Sequence, residues 1–92
     1  MDKKLLWNVF IGWGCRHNIP KWNKWEQELE KKGWEHAGMQ AYVMRRKIQA
    51  VSAEAAEGVA ISDLDQLRGL ETLERCPMCH DKNVYLSYSE AN

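Results

Sequence analysis

Cys76-Pro77-Met78-Cys79 lies near the end of the chain, sixty-one residues after Cys15-Arg16-His17, which holds the remaining one of three cysteines. A Cys-Pro-x-Cys turn can present two thiolates to one cation with the backbone N–H groups of the turn aimed at the sulfurs. A tetrahedral structural Zn²⁺ site then needs two more nitrogen or sulfur ligands. Cys15 and His17 are the obvious suppliers, since residues separated by a single intervening one lie on the same side of an extended segment. The expectation is a Cys₃His zinc site, Cys15, His17, Cys76 and Cys79, pinning an early segment to a late one. His80 competes for the fourth position. His17 is preferred because it shares a loop with Cys15, and a second loop giving two ligands closes the site.

Other chemistries fit these residues less well. Cys76-x-x-Cys79-His80 matches the attachment motif of c-type haem, which requires an oxidising compartment and therefore export. A redox Cys-x-x-Cys sits at a helix N-terminus after a strand; here a helical pattern comes before the motif and an extended one after it. Each cysteine is better used as a metal ligand than as a nucleophile. The chain has no paired-carboxylate constellation and no glycine-rich phosphate loop. No enzyme is expected.

The elements that must position the ligands are read from periodicity. Leu5–Ile11 is apolar enough for a short strand or a buried helical turn, and Gly12 and Gly14 break it. Pro20 suits a first helical position, and Trp22, Trp25 and Leu29 recur on one helical face, while Lys24, Glu28 and Lys32 fall at i, i+4 spacing on another; Gly33 is the stop. A second helix is expected from about Glu35 to about Ala56, with Met39, Val43 and Ala50 on its apolar face beside Met44, Ile48, Val51 and Ala55, and with His36 facing solvent. Gly58 ends it. Ser62 then reads as an N-cap with Asp65 completing a capping box, and Leu64, Leu67, Leu70 and Leu73 carry a third helix to Pro77. Residues Asn83–Tyr88 alternate as a short strand or extended tail. The expected fold class is mainly α: a three-helix, homeodomain-like unit over 20–75 joined to a zinc knuckle built from 15–17 and 76–80, in one domain spanning 1–92.

Ninety-two residues sit near the lower limit for a chain that buries its own core, and a structural metal is a common staple at this size. Five Trp and three Tyr supply large apolar area per residue. Three cysteines cannot all pair with one another, so a disulfide framework is not expected. No stretch approaches a membrane span and the first residues do not read as a signal peptide, so the expected compartment is a reducing cytoplasm. The net charge of zero hides an asymmetry: residues 1–50 carry ten Lys/Arg against five Asp/Glu, and residues 51–92 carry three against eight. Arg45-Arg46-Lys47 is the one local basic cluster, read first as a solvated helix face, with a phosphate-contacting patch supported by Lys21, Lys24, Lys31 and Lys32 as the alternative.

A chain of this length with Cys-Arg-His near the front, Cys-Pro-x-Cys near the end and helices between resembles the small early proteins encoded in the exonuclease-to-excision region of lambdoid phages and prophages. The resemblance implies a homeodomain-like unit fused to a zinc finger, a bacterial host cytoplasm, and a role in inhibiting host DNA replication. The third helix would carry Asp63, Asp65, Glu71 and Glu74 against Arg68 and Arg75, and a helix so acidic is repelled by a groove walled with phosphates. The expected function is therefore a monomeric interaction module that captures a host or viral protein through that acidic helix, binding no DNA specifically. The alternative is a weak nucleic-acid-binding regulator that uses the basic first half.

Overall fold

The structure, a computed structural model that describes residues 4–38, 43–67 and 74–90, is a four-stranded antiparallel sheet with two α-helices on one face. The chain runs β1 (Leu5–Trp13), a single 3₁₀ turn (Arg16–Asn18), α1 (Ile19–Glu30), β2 (Glu35–His36), β3 (Val43–Ala50), α2 (Ala53–Asp65) and β4 (Val84–Glu90). The strand order is β2-β3-β1-β4, with all three pairings antiparallel.

The mainly-α, homeodomain-like expectation is therefore overturned, and with it the helical half of the phage-protein resemblance. The second helix, about Glu35 to about Ala56, is replaced by β2, β3 and the start of α2. Met44 and Ile48 fit a helix and a strand alike, because a spacing of four satisfies both a 3.6-residue and a two-residue period. In β3 the residues turned to the helices are Met44, Arg46, Ile48 and Ala50. Arg46 looks polar in the sequence, yet its guanidinium donates to Asp63 of α2 at 2.7 Å, which lets an arginine occupy an inward position. β-branched Val43 and Ile48 favour the pleated conformation.

The expected third helix does not start at Ser62, and residues 68–73 of it lie outside the described residues. Ser62 is not an N-cap but an exposed residue inside α2. The real cap is Ser52, whose Oγ accepts from the Ala55 N–H at 3.2 Å. Gly58 lies within α2 rather than ending it. Leu64 and Leu67 are buried, whereas Met39, Arg68, Leu70, Glu71 and Leu73 lie outside the described residues. Glu74 stands in a non-helical segment, and Asp63 is occupied by Arg46 and by the Trp34 indole N–H at 2.8 Å. Among the described residues, Asp63, Asp65 and Glu74 do not share one helix. His36 belongs to β2 rather than to a helix.

α1 forms close to where its period placed it, with Pro20 in its first turn and Trp22, Trp25 and Leu29 buried. β1 extends through Gly12 to Trp13. Its odd residues Val9, Ile11 and Trp13 are buried under the helices with Met44, Ile48 and Val84, and Trp13 meets Trp25 of α1 with ring centroids 5.5 Å apart. His36, at the sheet edge, places its Nε2 3.1 Å from Oε2 of Glu26 on α1, which accepts from the ring. No helix among the described residues is long and apolar enough to cross a membrane.

Two stability outcomes follow from α2. A Cβ added at Gly58 meets nothing within 4 Å, so Gly58→Ala should stabilise the domain by about 0.5–1 kcal/mol in urea titration. Asp63→Ala strands the Arg46 and Trp34 donors together and should cost about 2–3 kcal/mol in the same measurement.

Candidate metal centre

β1 delivers the first pair of sulfur and nitrogen donors. After Trp13 the backbone turns at Gly14, whose N–H donates to the Asn83 carbonyl at 3.0 Å. The Lys82 carbonyl and the Tyr85 ring press on Gly14 where a Cβ would project, so only glycine fits this crossing. The loop carrying Cys15 is thereby laid against the segment that follows Cys79. Asn18 and Asn83 bind side chain to side chain at 3.0 Å and fasten the same junction.

Cys15 and His17 do not lie on an extended segment as the spacing implied. The Asn18 N–H closes onto the Cys15 carbonyl at 3.1 Å, and the resulting 3₁₀ turn brings Cys15 Sγ within 3.7 Å of His17 Nδ1. The second pair sits on a tight reversal. Arg75 and Lys82 form an antiparallel bridge, the Cys76 N–H donates to the Asp81 carbonyl and the His80 N–H to the Cys76 carbonyl, both at 2.8 Å. His80 takes φ of 62° to complete the turn, and Arg75 donates to its carbonyl at 2.8 Å.

The two pairs interlock. Cys15 Sγ is 3.6 Å from Cys79 Sγ, and Cys76 Sγ is 3.6 Å from His17 Nδ1. All four donor atoms of Cys15, His17, Cys76 and Cys79 lie within 4.8 Å of one another, an arrangement compatible with metal binding. His80, the competing candidate, is not part of this group. Cys15 and Cys76 are buried, Cys79 is half-buried, and His17 closes the solvent side.

The local electrostatics separate the two cysteines of the turn. The backbone N–H groups of Cys79 and Met78 point at Cys76 and bring its thiol down to about 6; the Met78 N–H lies 3.4 Å from the sulfur. For Cys79, the Asp81 N–H pulls downward, but burial and the adjoining Cys15 and Cys76 sulfurs outweigh it and push the thiol up to about 11. Crowded sulfurs resist carrying several negative charges together, and a divalent cation among them removes that conflict.

Fold and centre together define a small α+β domain with a Cys₃His cluster bridging two segments. No protein-family model, no curated protein and no solved structure matches this chain.

The geometry ranks the two histidines. His17→Ala should weaken divalent-metal affinity by roughly tenfold or more, since it removes a ligand atom, whereas His80→Ala should leave it within about twofold. Titration with Co²⁺, followed by thiolate-to-metal absorption, distinguishes them; a larger effect at His80 refutes the assignment.

Proposed function

We propose that the protein is a zinc-stabilised binding domain without catalytic activity. The observation that carries this reading is the convergence of four soft donors from two segments of the chain. Three thiolates and an imidazole in a compact S₃N set favour zinc among abundant cations. A zinc tetrahedron with standard bond lengths has edges of about 3.8 Å between sulfurs and about 3.6 Å between sulfur and nitrogen. The spacings of 3.6 Å for Cys15–Cys79, 3.7 Å for Cys15–His17 and 3.6 Å for Cys76–His17 match those edges.

All four positions of such an ion are filled by protein atoms. No position remains for a water or substrate, which is the signature of a structural site rather than a catalytic one. The metal's role is mechanical: it ties the start of α1 to the segment that feeds β4 and so holds one end of the sheet. Structural zinc in small domains contributes on the order of 10 kcal/mol at neutral pH.

The purified protein should contain one equivalent of zinc per chain. A strong chelator should lower its melting temperature and alter its far-UV circular dichroism. Less than half an equivalent of metal, or a melting curve indifferent to chelation, refutes the proposal.

A further inference from the structure

Both helices lie on one face of the sheet, and the opposite face is uncovered by any described element. The strand registers specify what it presents. Phe10 stands between Arg45 and Ser87, Gly12 between Val43 and Tyr85, and Asn8 between Lys47 and Ser89, with Leu6 beside Gln49. One solvated face is ordinary for an antiparallel sheet, but such a face is usually polar. This one exposes half of Tyr85 (51 %), with Phe10 on the adjacent strand one diagonal step away, interleaved with cations.

Gly12 opens a shallow groove of about 380 Å³ between these aromatics, lined by Phe10, Gly12, Val43, Tyr85, Leu86 and Ser87. At its margin the Lys82 ammonium stands 5.9 Å from the centre of the Tyr85 ring. Arg45 and Lys47 occupy the next two positions along β3, while Arg46 between them is turned under the helices. Among the described residues, Glu35 is the one carboxylate that the register brings to this face, and it holds Arg45 at 2.7 Å. Asn8 Oδ1 and Arg45 Nε are buried without a hydrogen-bond partner among the described residues.

We infer that this open sheet face binds single-stranded nucleic acid, with bases stacked on Phe10 and Tyr85 across the Gly12 groove and phosphates held by Arg45, Lys47 and Lys82. Aromatic platforms set among cations suit unpaired bases on a polyanionic backbone, and they tolerate sequence because every base offers a π-face. A duplex hides those faces, so it is a poor ligand. The charge also argues against a second copy of this chain, since a symmetric face-to-face pair sets Arg45 and Lys47 against their own counterparts. The inference rests on the binding-domain reading and is independent of the metal.

The test is fluorescence anisotropy of labelled twelve-nucleotide RNA and DNA, single-stranded and duplex, with zinc content measured on the same samples. Zinc-loaded protein should bind both single strands and bind duplex roughly tenfold more weakly. Two or three phosphate contacts predict a loss of about tenfold in affinity between 50 and 200 mM salt. Tyr85→Ala should weaken binding by about tenfold. Gly12→Val fills the groove without harming the strand, because a Cβ there comes only within ordinary contact of the Tyr85 carbonyl, at 3.9 Å, and valine favours strands. It should abolish binding while leaving the unfolding midpoint unchanged or raised. Glu35→Gln frees Arg45 and should tighten binding by a few-fold. Zinc-loaded protein that ignores single strands at 50 mM salt, a Gly12→Val variant that binds normally, or a dimer that buries this face in sedimentation analysis overturns the inference. Protein that binds single strands but lacks zinc overturns the metal reading alone.

Discussion

Strand β1 is hydrogen-bonded on both edges, to β3 on one side and β4 on the other, and the remainder of the molecule is arranged around that double pairing. A central strand must satisfy two neighbours in register. A slip by one residue would turn Val9, Ile11 and Trp13 out of the core and put Asn8 and Gly12 in their place. The register is held by burial: Val9 and Ile11 are fully inaccessible, and Trp13 seats α1 through Trp25. Two residues beyond the strand stands Cys15, so the alignment that forms the core also aims the first metal ligand.

The other end of the cluster depends on close backbone approach. Gly14 allows the Cys15 loop to lie against Lys82 and Asn83, and the reversal from Arg75 to Lys82 carries Cys76 and Cys79 to the same place. The polar hub of Asp63 makes a comparable junction between α2 and the sheet. One carboxylate oxygen accepts from Arg46 on β3 and from Trp34 beyond α1, so three segments are joined by two hydrogen bonds with little exposed charge. Each junction is made of residues distant in sequence, which is how a domain of this size gains order beyond its modest core.

The pleat also decides what the basic cluster can do. On a helix, Arg45, Arg46 and Lys47 would fan out over a wide arc. On a strand, alternation sends Arg46 to the helix side and leaves Arg45 and Lys47 on the open face, two positions apart and beside Phe10 and Asn8. Near the end of α2, Asp63 is drawn to Arg46, so one pair of the chain's opposite charges is joined between helix and sheet.

The four candidate ligands were legible in the sequence because metal-ligand chemistry is a property of residue type: few side chains offer sulfur or imidazole donors, and Cys-Pro-x-Cys presents two of them whatever surrounds it. α1 was legible for a similar local reason, with Pro20 and the spacing of Trp22, Trp25 and Leu29 needing no distant partner. The strands were not. Met44 and Ile48 satisfy two periods, Gly12 looks like a break until both neighbouring strands are paired to it, and Arg46 reads as exposed until Asp63, seventeen residues on, accepts its charge. Sheet formation is a non-local transaction, so the pattern that identifies a strand is completed by residues elsewhere in the chain. Only the tertiary structure could decide that β1 joins β3 to β4 and that no described element covers the aromatic, basic face, because both depend on which distant strands pair and on which side the helices pack.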